Sequence, residues 1–224
     1  MEKKIHESFY SGDMILISTG IMFPELQTAN KGMKTGNREN IDNMNSDQKV
    51  LRAKIESSLK SLGIPSLLYE ERKLPIFQDA SELVVIEYNQ RGRPHYLIPQ
   101  AGNAWNALRD AANGDGVVIE IVSAYRSFQQ QFEIVKSKIE KGMSPEVVFS
   151  VNAPPGCSEH HTGCAVDIGT PNCIPLDQSF DKTAAFSWLQ SNAMQFGFEL
   201  SYPPSNLFGF DYEPWHWCYQ KSLA

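Results

Sequence analysis

The chain of 224 residues contains no apolar run near the roughly 18 residues that a membrane-spanning helix needs. Met14 to Phe23 comes nearest, and Ser18, Thr19 and Gly20 interrupt it. A membrane span is thereby excluded. A clean export signal is also missing: Lys3 and Lys4 precede that run, but acidic Glu7 and Asp13 break into it and no A-x-A-like cleavage site follows. Basic residues are too few and too scattered to track a phosphate backbone. With 20 Lys and Arg against 26 Asp and Glu, the formal net charge is -6, and nucleic acid is excluded as a partner. Cysteine is sparse. The four present, Cys157, Cys164, Cys173 and Cys218, all lie in the last third and form no C-x-x-C pair, which excludes a disulfide scaffold and a second metal site built on thiolates. Two readings of them stay open: reduced, partly buried thiols, or one or two bridges bracing the neighbouring loops. The H-E-x-x-H helix motif is absent, so a thermolysin-like site is excluded as well. There is no internal repeat.

What is there suffices for one substantial core: 42% of residues are hydrophobic and 11% aromatic. The expected division is a polar leader with one amphipathic helix over residues 1–62, then a single compact domain over 63–224. Thr28 to Gln48 is rich in Asn, Lys, Gly and Asp, the composition of a linker that cannot offset its own ordering entropy. Val50, Leu51, Ile55, Leu59 and Leu62 follow at helical spacing, with Ser46 as N-cap and Gly63 as stop. Leu83 to Tyr88 and His95 to Ile98 read as a hairpin. Helices are expected over Ala101 to Ala112, Phe128 to Lys141 and Asp181 to Phe196. Strands are expected over Val117 to Val122, Ala165 to Ile168, Phe198 to Ser201 and Trp215 to Tyr219. Strands and helices alternate without a βαβ repeat, so the expected fold is α+β, a single domain with a mainly antiparallel sheet flanked by helices.

Two short segments carry the chemistry: Ser158-Glu-His-His-Thr-Gly-Cys-Ala-Val-Asp167 and Glu213-Pro-Trp-His216. A catalytic zinc takes three protein ligands from imidazole, carboxylate or thiolate and keeps a fourth position open. His160, Asp167 and His216 meet that requirement, and Glu213 is a spare carboxylate able to act as the base. Asp167 follows His160 by seven positions with Thr162-Gly163 between, a spacing suited to a loop returning into a strand. Pro214 biases Glu213 toward extended geometry and stiffens the second segment. Trp215 and Trp217 flank His216, one packed inward and the other forming a wall of the site. His161 is left as a residue behind the site or facing solvent. His6 and His95 are ordinary histidines on this reading.

These residues resemble the zinc D-alanyl-D-alanine carboxypeptidases of the VanY type, which trim peptide stems of bacterial peptidoglycan. Ser123-Ala-Tyr-Arg-Ser-Phe-Gln-Gln-Gln131, Pro155-Gly-Cys-Ser-Glu-His-His-Thr-Gly163, Gly197-Phe-Glu-Leu-Ser-Tyr-Pro203 and Tyr212-Glu-Pro-Trp-His-Trp217 carry the resemblance, which covers roughly Ala101 to Tyr219. It implies a hedgehog/D,D-peptidase-like fold and Zn2+ on His160, Asp167 and His216. It also implies Glu213 as general base and Arg126 as the cation steadying the polarised carbonyl. Gln131 and Ser158 would contact the terminal residue of the substrate, and Tyr125 would join Trp215 in the pocket wall. The chain departs from the family pattern in Cys218-Tyr219-Gln-Lys after Trp217 and in the sulfur of Cys157 and Cys164.

The expected activity is zinc-dependent removal of the C-terminal residue, D-Ala by the resemblance, from peptidoglycan stem peptides. A D,D-dipeptidase or stem endopeptidase would use the same ligands. A silent zinc module binding cell-wall peptide or protein is the competitor from another class, and Glu213 argues against it. Action on the cell wall implies a periplasmic or extracellular location.

Overall fold

The computed structural model describes residues 45–65 and 71–220. The signal-like run Met14 to Phe23 and most of the expected linker lie outside the described residues. The end of that linker does not: Asn45, not Ser46, is the N-cap of α1 (Ser46–Ser61). Its side-chain oxygen accepts from the Gln48 N–H at 2.9 Å, and the Gln48 side chain accepts from the Asn45 N–H at 3.2 Å. This reciprocal cap satisfies donors that would otherwise be orphaned at the helix start.

A hairpin of β1 (Val84–Tyr88) and β2 (Pro94–Leu97) precedes α2 (Pro99–Gly114). Then follow β3 (Glu120–Ser123), α3 (Phe128–Glu140), the short α4 (Pro145–Ser150), a 3-10 turn at Glu159–Thr162 and β4 (Ala165–Gly169). A 3-10 turn at Gln178–Lys182, α5 (Ala184–Asn192), a further 3-10 turn at Ala193–Phe196, β5 (Phe198–Leu200) and β6 (His216–Tyr219) complete the order. Four strands form one antiparallel sheet in the order β3-β4-β6-β5. The expected fold class is the observed one.

Three elements differ from expectation for local reasons. The β-branched run from Val117 becomes strand only at Glu120, because the Val117 N–H donates to Ala112 O at 2.8 Å and so helps close α2. The expected helix from Asp181 is divided at Thr183, whose extended backbone and side chain cap a new helix through the Phe186 N–H. The helix α4 was not expected, although Ser144 followed by Pro145 is a start signal.

The core has two clusters. One holds Trp105, Leu108 and Ala112 of α2, Ile121 of β3, Val166 and Ile168 of β4, Phe186 and Leu189 of α5, Phe198 and Trp217. Trp105 meets Phe198 edge-on at 6.5 Å, and Phe186 meets Trp217 at 6.2 Å. The other holds Ile55 and Leu59 of α1, Phe128 and Val135 of α3, Val148 and Phe149 of α4, with Tyr202 and Phe210. Ile55 and Leu59 are fully buried there, so α1 packs into the second cluster. Gly156 explains the close fit. It has φ +88° and a Cβ would lie 2.5 Å from Ile55, so only glycine lets the ligand-bearing loop approach α1.

Candidate metal centre

Strand register does most of the positioning. Asp167 on β4 lies directly opposite His216 on β6, and Ser123 at the end of β3 lies opposite Asp167. Cross-strand neighbours bring side chains within about 5 Å of each other, so two donors converge without any loop having to close. His160 arrives from the 3-10 turn before β4, which Gly163 ends in a left-handed conformation at φ +67°. A Cβ at Gly163 would press on Ile98 and Leu83 at 3.0 Å. The Arg126 N–H donates to His160 O at 3.2 Å, tying the turn after β3 to the ligand turn.

One ligand atom from each of His160, Asp167 and His216 lies within 4.8 Å of the other two, and all three residues are buried. His160 Nε2 is 3.2 Å from Asp167 Oδ2, and His216 Nδ1 is 3.0 Å from Asp167 Oδ1. Donors held at zinc bond lengths around a tetrahedral ion are roughly 3.4 Å apart, so the spacing fits. The donor set, two imidazole nitrogens and one carboxylate, fits too. Burial acts against the charge on Asp167, but His160 and His216 outweigh it and hold the carboxyl well below its usual range. Burial likewise opposes protonation of His216, yet its bonds to Asp167 and Glu159 push it up to about 10. An electron-rich nitrogen and carboxylate at this distance need a cation between them, either a proton or a metal.

Glu159, unremarked in the sequence, supplies the other half of that arrangement. His216 Nε2 is 3.0 Å from Glu159 Oε2, and Ser201 Oγ donates to the same oxygen at 2.6 Å. Burial disfavours the charged form of Glu159, but the bond from His216 holds its pKa below the ordinary value. An ionised carboxylate only accepts, so Nε2 donates its proton to Glu159; with a metal bound, Nδ1 would be the nitrogen left to ligate beside Asp167. His160 has no such support: its Nδ1 is buried with no hydrogen-bond partner among the described residues.

Glu213 sits beside this cluster with Oε2 3.9 Å from His216 Nδ1. Burial pushes its carboxyl up to about 7, with His216 opposing. Arg126 places Nη2 3.9 Å from Asp167 Oδ2 and is held by bonds from Nη1 to Gln131 Oε1 at 2.8 Å and from Nη2 to Ser123 Oγ at 3.1 Å. A cavity of about 290 Å³ opens onto these groups, lined by Arg126, Ser158, His160, Asp167, Glu213, Trp215 and His216 among others. A larger, more open cleft of about 630 Å³ beside the start of α1 holds none of the metal-ligating residues.

The remaining candidates divide. Ser158 and Trp215 line the cavity, while Trp217 is buried behind it with its indole N–H on Pro214 O at 2.9 Å. Gln131 does not face the cavity: it is fully buried, and its amide donates to Ala153 O at 2.7 Å while its oxygen accepts from Arg126. It therefore orients the arginine. Tyr125 is likewise not in the lining. Its hydroxyl pKa is raised by burial and by the Asp79 carboxylate. His161 is fully buried and not solvent-facing. It accepts from the Gly156 N–H at 3.0 Å and donates from Nδ1 to Arg126 O at 2.6 Å, stacked on Phe128. Tyr202, a residue of the Gly197 to Pro203 segment without an expected role, lines the cavity with its ring 4.7 Å from that of His216. None of the four cysteines is in a disulfide. Cys157, Cys164 and Cys218 fill core positions, and burial pushes the Cys157 thiol up to about 12.

Residues 94–222 match the family model described as VanY: D-alanyl-D-alanine carboxypeptidase. YodJ of Bacillus subtilis (strain 168), whose name assigns it provisionally to the carboxypeptidases, is 31% identical over 169 residues. That match covers 72% of this chain and 62% of YodJ, so the chain spans about three fifths of that relative. The structure of the LdcB LD-carboxypeptidase, reported for peptidoglycan recognition, aligns with TM-score 0.57 and 32% identity over 65% of this chain and 71% of LdcB. The vancomycin-resistance D,D-pentapeptidase VanY from a VanB-type cassette, solved with Zn(II), aligns with TM-score 0.51 and 31% identity over 65% and 82%. With the two ligand segments, the arginine turn and the antiparallel sheet all inside the matched region, the chain belongs to the VanY D-alanyl-D-alanine carboxypeptidase family.

Proposed function

We propose that the protein is a zinc-dependent carboxypeptidase that removes the terminal residue, D-Ala, from peptidoglycan stem peptides. The observation that carries this reading is the meeting of three buried donors, a second carboxylate and a guanidinium on one cavity. His160, Asp167 and His216 would hold zinc, which when bound polarises the scissile carbonyl and acidifies the attacking water. Glu213 takes the proton from that water and returns it to the leaving amine, a task for a carboxylate within reach of the reacting atoms. Arg126, fixed by Gln131 and Ser123, directs positive charge at the oxygen where negative charge develops. Ser158, Tyr202 and Trp215 shape the space around the peptide end. LdcB recognises peptidoglycan and the VanY structure carries Zn(II), which supports both the substrate class and the metal. On this reading the protein works in the periplasm or outside the cell.

The test combines metal analysis with hydrolysis. One equivalent of zinc after reconstitution is expected, with release of a single terminal residue from tri-, tetra- or pentapeptide stems bearing D- or L-configured ends, read by mass spectrometry. Release of a dipeptide or cleavage within the stem would move the assignment to a D,D-dipeptidase or endopeptidase. Zinc binding with no cleavage of any stem would leave a binding module.

A further inference from the structure

The helix α3 turns one stripe toward the interior. Gln131 and Val135 on it are fully buried, and the next position at helical spacing is Lys138. Helical side chains lean toward the helix N-terminus, so the Lys138 stem runs back toward Gln131 and the Arg126 that it holds. Lys138 duly lines the metal cavity, together with Asn152, Ala153, Arg126 and Glu213. Burial and the Arg126 guanidinium lower its pKa and Glu213 opposes them, as expected for an ammonium inside that field. Among the described residues no carboxylate pairs with it. The outward-facing Lys136, two positions earlier, pairs with Glu140 at 3.9 Å in the ordinary way.

Arg126 is not free in the same sense. Its two terminal nitrogens are engaged by Gln131, Ser123 and the approach to Asp167. The cavity thus holds two side-chain cations, Arg126 and Lys138, against two carboxylates, Asp167 and Glu213. A divalent metal on the three donors leaves the site with surplus positive charge and one uncommitted ammonium. A half-buried ammonium without a partner is stabilised by an anion that arrives with the ligand. The anion that every C-terminal peptide end carries, one residue beyond its last amide bond, is the terminal carboxylate.

We infer that Lys138 is the residue that receives the free α-carboxylate of the substrate and so selects a chain end over a chain interior. The inference rests on the carboxypeptidase reading and adds to it a specificity-determining side chain outside the ligand segments. Lys138→Met keeps an unbranched, helix-compatible side chain, and Lys138→Arg keeps the charge.

Calorimetric titration of the zinc-loaded full chain, made catalytically slow by Glu213→Gln, compares an N-acetyl peptide ending in D-Ala-D-Ala as free acid with its carboxamide. The acid is expected to bind about tenfold or more tightly than the amide. Adding Lys138→Met should weaken the acid by about 10- to 100-fold while leaving the amide and the zinc content unchanged, and Lys138→Arg should recover most of the loss. Equal affinity for acid and amide before the lysine is changed overturns the assignment. So does an equal loss for both ligands, or no loss, in Lys138→Met. Turnover by the unmodified protein is read separately: acid-selective binding through Lys138 without hydrolysis of any stem overturns the peptidase reading and leaves the carboxylate subsite standing.

Discussion

The two walls of the cavity are built differently. The sheet wall, β4 and β6 with the ligand turn, presents His160, Asp167, His216 and Glu213, all buried. Two of its donors are opposed by strand register itself. The helical wall, α3 with the turn before it and the segment after α4, presents Arg126 and Lys138, and its polar groups reach the cavity through side-chain bonds such as Gln131 to Arg126. A backbone ladder fixes position to fractions of an ångström, which metal coordination needs. Long cationic arms tolerate a ligand of varying shape, which substrate recognition needs. On the proposed reading the sheet wall carries the metal donors and the base, while the helical wall carries the two cations, Arg126 for the developing charge and Lys138 for selection.

The sharpest way to break that comparison is to remove a ladder-borne donor. His216→Ala should lose zinc and all turnover together, measured by metal analysis and peptide hydrolysis; retained zinc would show that the ladder is not what holds it. Glu213→Gln should keep one equivalent of zinc and lower kcat by about 10²- to 10⁴-fold. Retained activity in that variant sinks the mechanism. Glu159→Gln keeps the shape beside His216 but makes a weaker acceptor for its Nε2 proton. Zinc affinity, read by competition with a chelator, should fall by about 10- to 100-fold, while kcat at saturating zinc changes much less. Behind the helical wall, in the cluster that α1 shares with α3, Leu59→Ala should cost about 2–5 kcal/mol of unfolding free energy, because the side chain is fully buried there. Denaturant unfolding measures that cost, and zinc stoichiometry of the folded protein should not change. A loss of zinc there would show that the two walls are one unit.

The candidate metal donors were legible because their chemistry is written in residue types: three histidines and three carboxylates within two short segments, with Pro214 stiffening one of them. The strands carrying Asp167 and His216 were legible from apolar runs. Glu159 was not, because its role depends on His216, which pairs with it across 57 residues of sequence, and a glutamate between Ser158 and His160 otherwise reads as surface. Gln131 was legible as part of the site but not in its direction, since only the packed helix shows that its face is interior. The length of β3 was misread because a β-branched stretch signals strand without saying where the preceding helix borrows its first N–H.

The sequence by itself determined the donor types, the stiff Glu213-Pro214 connection and the alternation that makes an α+β fold, since these follow from side-chain chemistry and local backbone preference. Tertiary structure alone decided that Asp167 faces His216, that Glu159 meets Nε2 of that histidine, and that Lys138 comes to the same cavity. Each of those depends on register or packing between segments far apart in the chain, and no local preference encodes a distance of that kind.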